Sequence, residues 1–450
     1  MKNLEKIFNP KTIAIIGASP KKNSVGWGLV KNILEGKDSR KFFYVNPFEK
    51  EIGGIKCFSK IGDISQEIDL AVIAVRAKIV PQIVEQCCRK KVGGIIIISS
   101  GFAEIGKEGE ILQDKIIKLV KSAKIPLIGP NCLGIIRPSI KLNVSFAPAF
   151  PKPGNIAFIS QSGALIDSII DKSLSENYGF SFLISYGNEA DLTLSDFLLF
   201  VNKDRQTKVI TVYLEGLKGG RNFMKVAKKI SKIKPIVVLK AGRTEMGKKA
   251  VFTHTASLAG NYQIYQALFK QTGIIGVETI EELFDIAKVL AWQPKCKNGI
   301  GIITNGGGCG VLMADYCQEL GVNLVKLDSK TIQKLKDSKI MHPAFSRNNP
   351  LDIVGDALSK DYQIAIEALL KQKNIYGLLI IQTLQIMTEV EKNAKIIVEA
   401  KRKWPEKPIV CCFLGGEMTK KGVEILEKNK IPNYPDLKRA AKAMKVLIYE

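Results

Sequence analysis

The sequence predicts an α/β fold of parallel sheets covered by helices, and three features carry that prediction. Short runs of β-branched and aliphatic residues recur along the chain, amphipathic stretches separate them, and the pattern starts afresh after two breaks. Strands that are apolar throughout, rather than alternating, belong to sheets buried on both faces, the arrangement that βαβ connections produce.

In chain order, "TIAIIG", "FFYVNP", "DLAVIAV", "GGIIIISSG" and "IPLIGPN" are five buried-strand candidates within the first 131 residues, with "IVPQIVEQCCRKK" and "ILQDKIIKLVKSAK" as helices between them. Prolines 148, 151 and 153 mark a linker. The second set is "NIAFIS", "FSFLISYG", "KVITVYLEG" and "KPIVVLKAG". The segment "AWQPKCKNG" at 291–299 is a second break, after which "IGIITNGGG", "YGLLIIQT" and "KPIVCCFLGG" repeat the pattern. Three consecutive domains are expected, at 1–147, 148–293 and 294–450.

Composition narrows the class. Of 450 residues 46% are hydrophobic and 24% charged, as in an ordinary globular protein. No run approaches the roughly 18 apolar residues that a membrane helix needs. The N-terminus lacks a signal-peptide layout, because "IAIIGA" reads as a strand entering a turn. Nine cysteines, odd in number and without CxxC spacing, fit free thiols in a reducing cytoplasm rather than disulfides or a metal site. The formal charge of +24 comes from lysines spread along the chain. Without a basic arm or an aromatic-interleaved patch, this is a solvated lysine-rich surface rather than a nucleic-acid site, and it leaves room for a small anion or an acidic partner.

Three turns carry chemistry. "GNIAFISQSGALIDSII" at 154–170 and "NGIGIITNGGGCGVLMAD" at 298–315 share the layout strand, small-residue turn, helix. Ser160, Gln161, Ser162 and Gly163 in the first, and Asn305, Gly306, Gly307 and Gly308 in the second, are candidate phosphate-binding residues. A helix start carries partial positive charge and free N–H groups. Each alone also reads as an ordinary βα turn. The third turn, "IAIIGASPKKNSVGWG", has the strand–turn–helix context of a nucleotide loop, but Gly17, Gly26 and Gly28 do not make GxGxxG. Asn46 and Pro47 stand where a dinucleotide enzyme places an acid for the ribose, so an NAD-dependent dehydrogenase is disfavoured. A ligand with additional phosphate, such as coenzyme A, fits better, with Lys21 and Lys22 in reach of it or simply solvated.

The motifs "IGASP", "VNP", "SSGFAE", "GPNCLG", "SQSGAL", "LEGLKGG", "THTASLAG", "EELFD", "TNGGGCG" and "NNPLDIVGDA" occur in that order. With them the chain strongly resembles, over essentially its full length, the α subunit of ADP-forming acyl-CoA synthetases, relatives of succinyl-CoA synthetase. The resemblance implies a Rossmann-like CoA-binding domain followed by two flavodoxin-like ligase domains. It implies the reaction acyl-CoA + ADP + phosphate ⇌ acid + CoA + ATP, with acetate as the default acid, through an acyl phosphate and a phosphohistidine at His254 that Glu215 orients. It implies that Gly17, Ala18, Ser19, Lys22, Gly26, Asn46, Pro47, Val75, Arg76, Ser99, Ser100, Gly101, Asn131 and Cys132 surround CoA. ADP and ATP, with Mg2+, would bind a separate ATP-grasp β subunit in an α2β2 heterotetramer, since three α/β units fill this chain.

Glycines 242, 247 and 260 bracket the expected histidine loop and are hinge candidates. The chain departs from the family's usual "SHTGALAG" at Ala256 and Ser257, and from its usual "AVPA" at Arg76. Arg76 either contacts a phosphate or is an exposed turn residue, and Cys132 either lies near the CoA thiol or is a buried structural cysteine. His342, the second of only two histidines, falls in a loop of turn formers and reads as surface. A non-catalytic CoA-binding or regulatory protein on the same scaffold is the alternative; His254, Glu215 and the two glycine turns argue against it.

Overall fold

The computed structural model describes residues 4–36, 39–255 and 260–449, with the backbone alone over 252–255. They form two compact units, Met1–Thr279 and Ile280–Glu450.

The first unit holds two seven-stranded sheets. Its first sheet comprises β1 (Thr12–Ile16), β2 (Lys41–Val45), β3 (Glu51–Ile52), β4 (Ile55–Phe58), β5 (Leu70–Ile73), β6 (Gly94–Ile97) and β7 (Leu127–Ile128). Their order is β3-β4-β2-β1-β5-β6-β7, with only the short β3 antiparallel. Counting the parallel strands alone gives 3-2-1-4-5-6, the Rossmann order. The strands β1, β5 and β6 are apolar and buried along almost their whole length, as a sheet covered on both faces requires. The β3–β4 hairpin was not foreseen, although its Gly53-Gly54 pair is a hairpin signal.

The second sheet comprises β8 (Gly134–Arg137), β9 (Leu142–Ser145), β10 (Pro153–Ser160), β11 (Phe180–Ser185), β12 (Val209–Leu214), β13 (Ile236–Lys240) and β14 (Ile275–Val277). The order is β14-β13-β12-β10-β11-β8-β9. Its five parallel strands run 2-1-3-4-5, the flavodoxin order, and β8 adds antiparallel to β11. One core spans both sheets, and the N-terminal helix Glu5–Phe8 inserts Phe8 among Phe182 of β11 and Phe197 and Phe200 of the helix Leu194–Lys203.

The second unit holds β15 (Ile300–Thr304), β16 (Leu351–Asp352), β17 (Gly377–Gln382) and β18 (Ile409–Phe413), all parallel in the order β16-β15-β17-β18. A bridge from Cys411 to Asn433 extends this flavodoxin-like pattern. Three elements pack on the far side of the divisions at 147/148 and 293/294. The strands β8 and β9 precede the proline linker yet complete the second sheet. The helix Ile280–Trp292 belongs to the second unit, where Asp285 takes a bidentate pair from Arg439 at 2.7 and 2.8 Å and Lys288 meets Glu427 at 3.1 Å.

Candidate active site

In doubly wound sheets a ligand crevice opens beyond the strand C-termini where the order reverses, and in the first sheet that is beside β1. A cavity of about 350 Å³ lies there. Gly17, Asn46, Pro47 and Val75 line it, joined by the unforeseen Phe48, Lys60 and Gln82. Gly17 holds φ +94°, and a Cβ on it would run into the Ala74 carbonyl, so no other residue fits between the β1 and β5 loops. Asn46 fixes the loops rather than offering its amide: Nδ2 donates to the Ala18 carbonyl at 2.8 Å, and Oδ1 accepts from Phe48 N–H at 2.9 Å. Ser24 caps the following helix, Val25–Glu35, by accepting from Trp27 N–H, so that helix start faces the turn. Gly26 packs on Gly17, while Ser19 accepts from Lys21 N–H. Lys22, Arg76 and Ser100 are exposed.

Ser99 braces the β5 loop, donating to the Val75 carbonyl at 2.6 Å and accepting from Val75 N–H at 3.1 Å. Beyond it, Glu104 accepts from Gly101 and Phe102 N–H, and Asn188 Nδ2 donates to Glu104 at 2.6 Å and to Gln113 at 3.0 Å. Asn131 Nδ2 donates to Asn188 at 3.3 Å, and Leu133 N–H to Ser185 at 2.9 Å. This network ties the "SSGFAE" and "GPNCLG" loops to the loop after β11. A Cβ on Gly163 would stand 3.1 Å from the Leu133 Cβ, so the loop bearing Asn131 and Cys132 abuts the start of the helix Gly163–Ser175. Of the two readings of Cys132 the structure supports the buried one. Its Sγ donates to the Ile97 carbonyl, and burial pushes the thiol up to about 12, so it carries no thiolate at neutral pH.

The two expected phosphate turns share a hydrogen-bond pattern. Ser160 Oγ donates to the Ser162 carbonyl at 2.8 Å and accepts its N–H at 3.1 Å. Thr304 Oγ1 does the same with Gly306, both at 3.0 Å. The amide after each clasp reaches the loop of the neighbouring strand. Gln161 accepts from Glu215 N–H and Gly216 N–H and donates to the Gly216 carbonyl, while Asn305 accepts from Thr383 N–H and donates to the Thr383 carbonyl. Gln161 and Asn305 therefore build the turns. Past each turn, the first N–H groups of the helices Gly163–Ser175 and Gly307–Glu319 have no carbonyl of their own helix to bond. At the second helix an Asp352 carboxylate oxygen already stands 2.8 Å from where a Gly307 Cβ would be, and the same position on Gly308 is open. Thr304 was missed; its equivalence to Ser160 in the two strand–turn–helix stretches was the available signal.

Glu215 opens the turn after β12, is 4% exposed, and shares a hydrogen bond with the Tyr213 hydroxyl, which burial and this carboxylate push up to about 12. Buried beside it, and absent from the expectations, are Lys240, which donates to its carbonyl, and Tyr186, which interacts with Glu215 and with the buried Glu189. Burial raises the Glu189 carboxyl to about 7, while Lys218 Nζ donates to the carbonyls of Asn188 and Glu189 at 2.8 and 2.9 Å.

The backbone at His254 belongs to the helix Glu245–Thr255, which Thr244 opens by accepting Gly247 N–H. A loop was expected there; the helix-forming run "EMGKKAV" carries regular structure further than the small residues suggested. The His254 side chain and residues 256–259 lie outside the described residues. Gly242 and Gly260, the expected hinges, hold φ of 72° and 70°, and Gly247 sits inside the helix. His342 is exposed, its Nδ1 accepting Ala344 N–H at 3.1 Å, on the wall of an open cavity with Lys336, Lys339 and Arg347.

Family models match three successive stretches: a CoA binding domain over residues 11–138, a succinyl-CoA ligase like flavodoxin domain over 153–290, and a ligase-CoA domain over 300–448. Acetate–CoA ligase [ADP-forming] I subunit alpha of Pyrococcus furiosus is 39% identical, over 99% of this chain and 97% of its own. Acetate–CoA ligase [ADP-forming] I of Archaeoglobus fulgidus is 42% identical over 99% of this chain, which spans only 63% of that longer relative. The dinucleotide forming acetyl-coenzyme A synthetase 1 of Ca. Korarchaeum cryptofilum, solved in complex with phosphate and ADP, superimposes with a TM-score of 0.94 at 37% identity, over 99% of this chain and 96% of that one. On this likeness in sequence, domain order and fold, the chain belongs to the family of ADP-forming acetate–CoA ligases.

Proposed function

We propose that this chain is the α subunit of an ADP-forming acetyl-CoA synthetase, acting with an ATP-grasp β subunit in an α2β2 assembly in the cytoplasm. A phosphate oxygen attacks the thioester carbonyl and the C–S bond breaks, so that CoA leaves as a thiolate and takes up a proton. The product is an acyl phosphate. The neutral imidazole of His254 then attacks phosphorus, and the acid departs as carboxylate. From phosphohistidine the phosphoryl group passes to ADP, held with Mg2+ on the β subunit, to give ATP. Such transfers ask the protein mainly for positioning and charge stabilisation. Helix starts supply N–H groups to the phosphoryl oxygens, and Glu215 holds the second imidazole nitrogen.

One observation carries this reading. The loop of Asn131 and Cys132, expected to hold the thiol end of CoA, lies against the helix start at Gly163, an expected phosphate turn of the same unit, and this adjacency supports the reading. The residues of the β1 crevice fit CoA: a glycine at the close approach, a helix start beside it, and Lys60 in the cavity wall. The nine cysteines, all unpaired, accord with the cytoplasmic placement, and no described helix is long and apolar enough to cross a membrane. The test is ATP formation from acetyl-CoA, ADP and phosphate by the chain with its partner, alongside intact-mass detection of an acid-labile phosphoryl group. His254→Ala should abolish both, and turnover retained in that variant would refute the assignment. CoA binding without either signal would favour the regulatory reading.

A further inference from the structure

Lys240 ends β13 and is 2% exposed. Its Nζ donates to the Glu215 carbonyl at 2.8 Å and to the Ala241 carbonyl, and stands 4.6 Å from the centroid of the Tyr265 ring. The three partners belong to three different parts of the site. Glu215 follows β12, Ala241 opens the segment that runs out to His254, and Tyr265 lies in the helix Tyr262–Thr272 on which the chain returns. One ammonium thus touches both roots of the histidine-bearing segment and the backbone of the glutamate assigned to it. A buried ammonium is costly, and a methionine or leucine would fill a strand end without that cost. Two carbonyls and a ring face satisfy the charge but do not explain why it is there.

We propose that Lys240 is a positioning residue for phosphoryl transfer, clasping both roots of the His254 segment to the strand end that carries Glu215. This rests on the roles assigned above to His254 and Glu215. Without the clasp, Ala241 and Tyr265 lose their shared tie to the Glu215 backbone, and His254-dependent turnover falls. The groups facing Lys240 are Glu215, which favours its charge, Lys248 of the helix Glu245–Thr255, which opposes it, and Tyr265, which offers its ring. Burial dominates and lowers the ammonium to about 8. The charged clasp is therefore present below about pH 8 and weakens above it.

The experiment uses the full chain with its β subunit and follows acid-labile phosphoryl incorporation from labelled ATP, together with acetyl-CoA turnover, between about pH 7 and 9.5. Wild type should lose rate on the alkaline side. Lys240→Met should lower kcat about tenfold at neutral pH, shift KM for acetyl-CoA by less than about threefold, and lose the alkaline limb. Lys240→Arg, whose charge persists across the range, should recover part of the rate and hold it to higher pH. CoA titration of each variant reports on the first sheet independently. An unchanged alkaline limb in Lys240→Arg, or a wild-type rate and profile in Lys240→Met, overturns the proposal. If Lys240→Met does not fold, the arginine profile alone decides. Absence of any His254-dependent label in wild type removes the underlying relay, and the proposal falls with it.

Discussion

Two residues show how much one atom or one charge decides here. Gly17 occupies a left-handed backbone position against the Ala74 carbonyl, so Gly17→Ala must push the β1 and β5 loops apart. It should weaken CoA binding at least about tenfold by calorimetry, and cost roughly 1–3 kcal/mol of stability from backbone strain. An unchanged affinity would place CoA elsewhere. Glu189 gives a pH test. Its folded value of about 7 lies above the ordinary 4.5, mainly through burial, so folding favours the protonated form. The stability this contributes is complete below about pH 4.5 and is lost as pH rises through 7. Leu194 N–H donates to Oε1, a contact that the glutamine oxygen can accept equally. Glu189→Gln should therefore raise Tm by a few degrees at about pH 8 and leave it nearly unchanged at about pH 5. An equal change at both values would mean that the carboxyl titrates normally.

At the scale of elements, the recurring clasp is what makes β10 and β15 equivalent. Removing either hydroxyl frees a half-buried N–H and a carbonyl at a helix start. Ser160→Ala and Thr304→Val should each cost roughly 1–2 kcal/mol and weaken phosphate binding. The clasps lie in separate compact units, so in the double variant their stability costs should add within about 0.5 kcal/mol. Much of this was legible in the sequence. Near-uniform apolar runs place β1, β5, β10, β12 and β15, because parallel strands covered on both faces tolerate little else. The strands β8 and β9 were not, since "GIIR" and "LNVS" are short and add antiparallel to an edge through partners distant in sequence. Residue type also conceals where an amide is spent. Gln161 and Asn46 stand where ligand contacts were expected, yet both are committed to backbone in neighbouring loops. Lys240 went unremarked in the strand "KPIVVLKAG", because only the fold closes Tyr265 over it.

At the scale of the whole molecule the charge is the feature that the site leaves unexplained. With 67 Lys and Arg against 43 Asp and Glu, the chain carries a formal excess of 24 positive charges. Several ion pairs that do form are exposed helical i,i+4 contacts, such as Lys31–Glu35 and Lys428–Glu424, worth only a few tenths of a kcal/mol each. Such a surface adds nothing to the fold. It does raise the local concentration of anything acidic, and it costs self-repulsion unless a partner relieves it. An acidic β subunit would benefit most, since complementary charge speeds encounter far more than it deepens affinity. On the proposed assembly, the association rate of this chain with its β subunit should therefore fall at least about tenfold between roughly 50 mM and 500 mM salt, while the dissociation rate changes little. Stopped-flow mixing of the separately purified subunits measures both. A rate indifferent to salt would mean that the excess lysines serve solubility alone, and that subunit recognition rests on apolar contact.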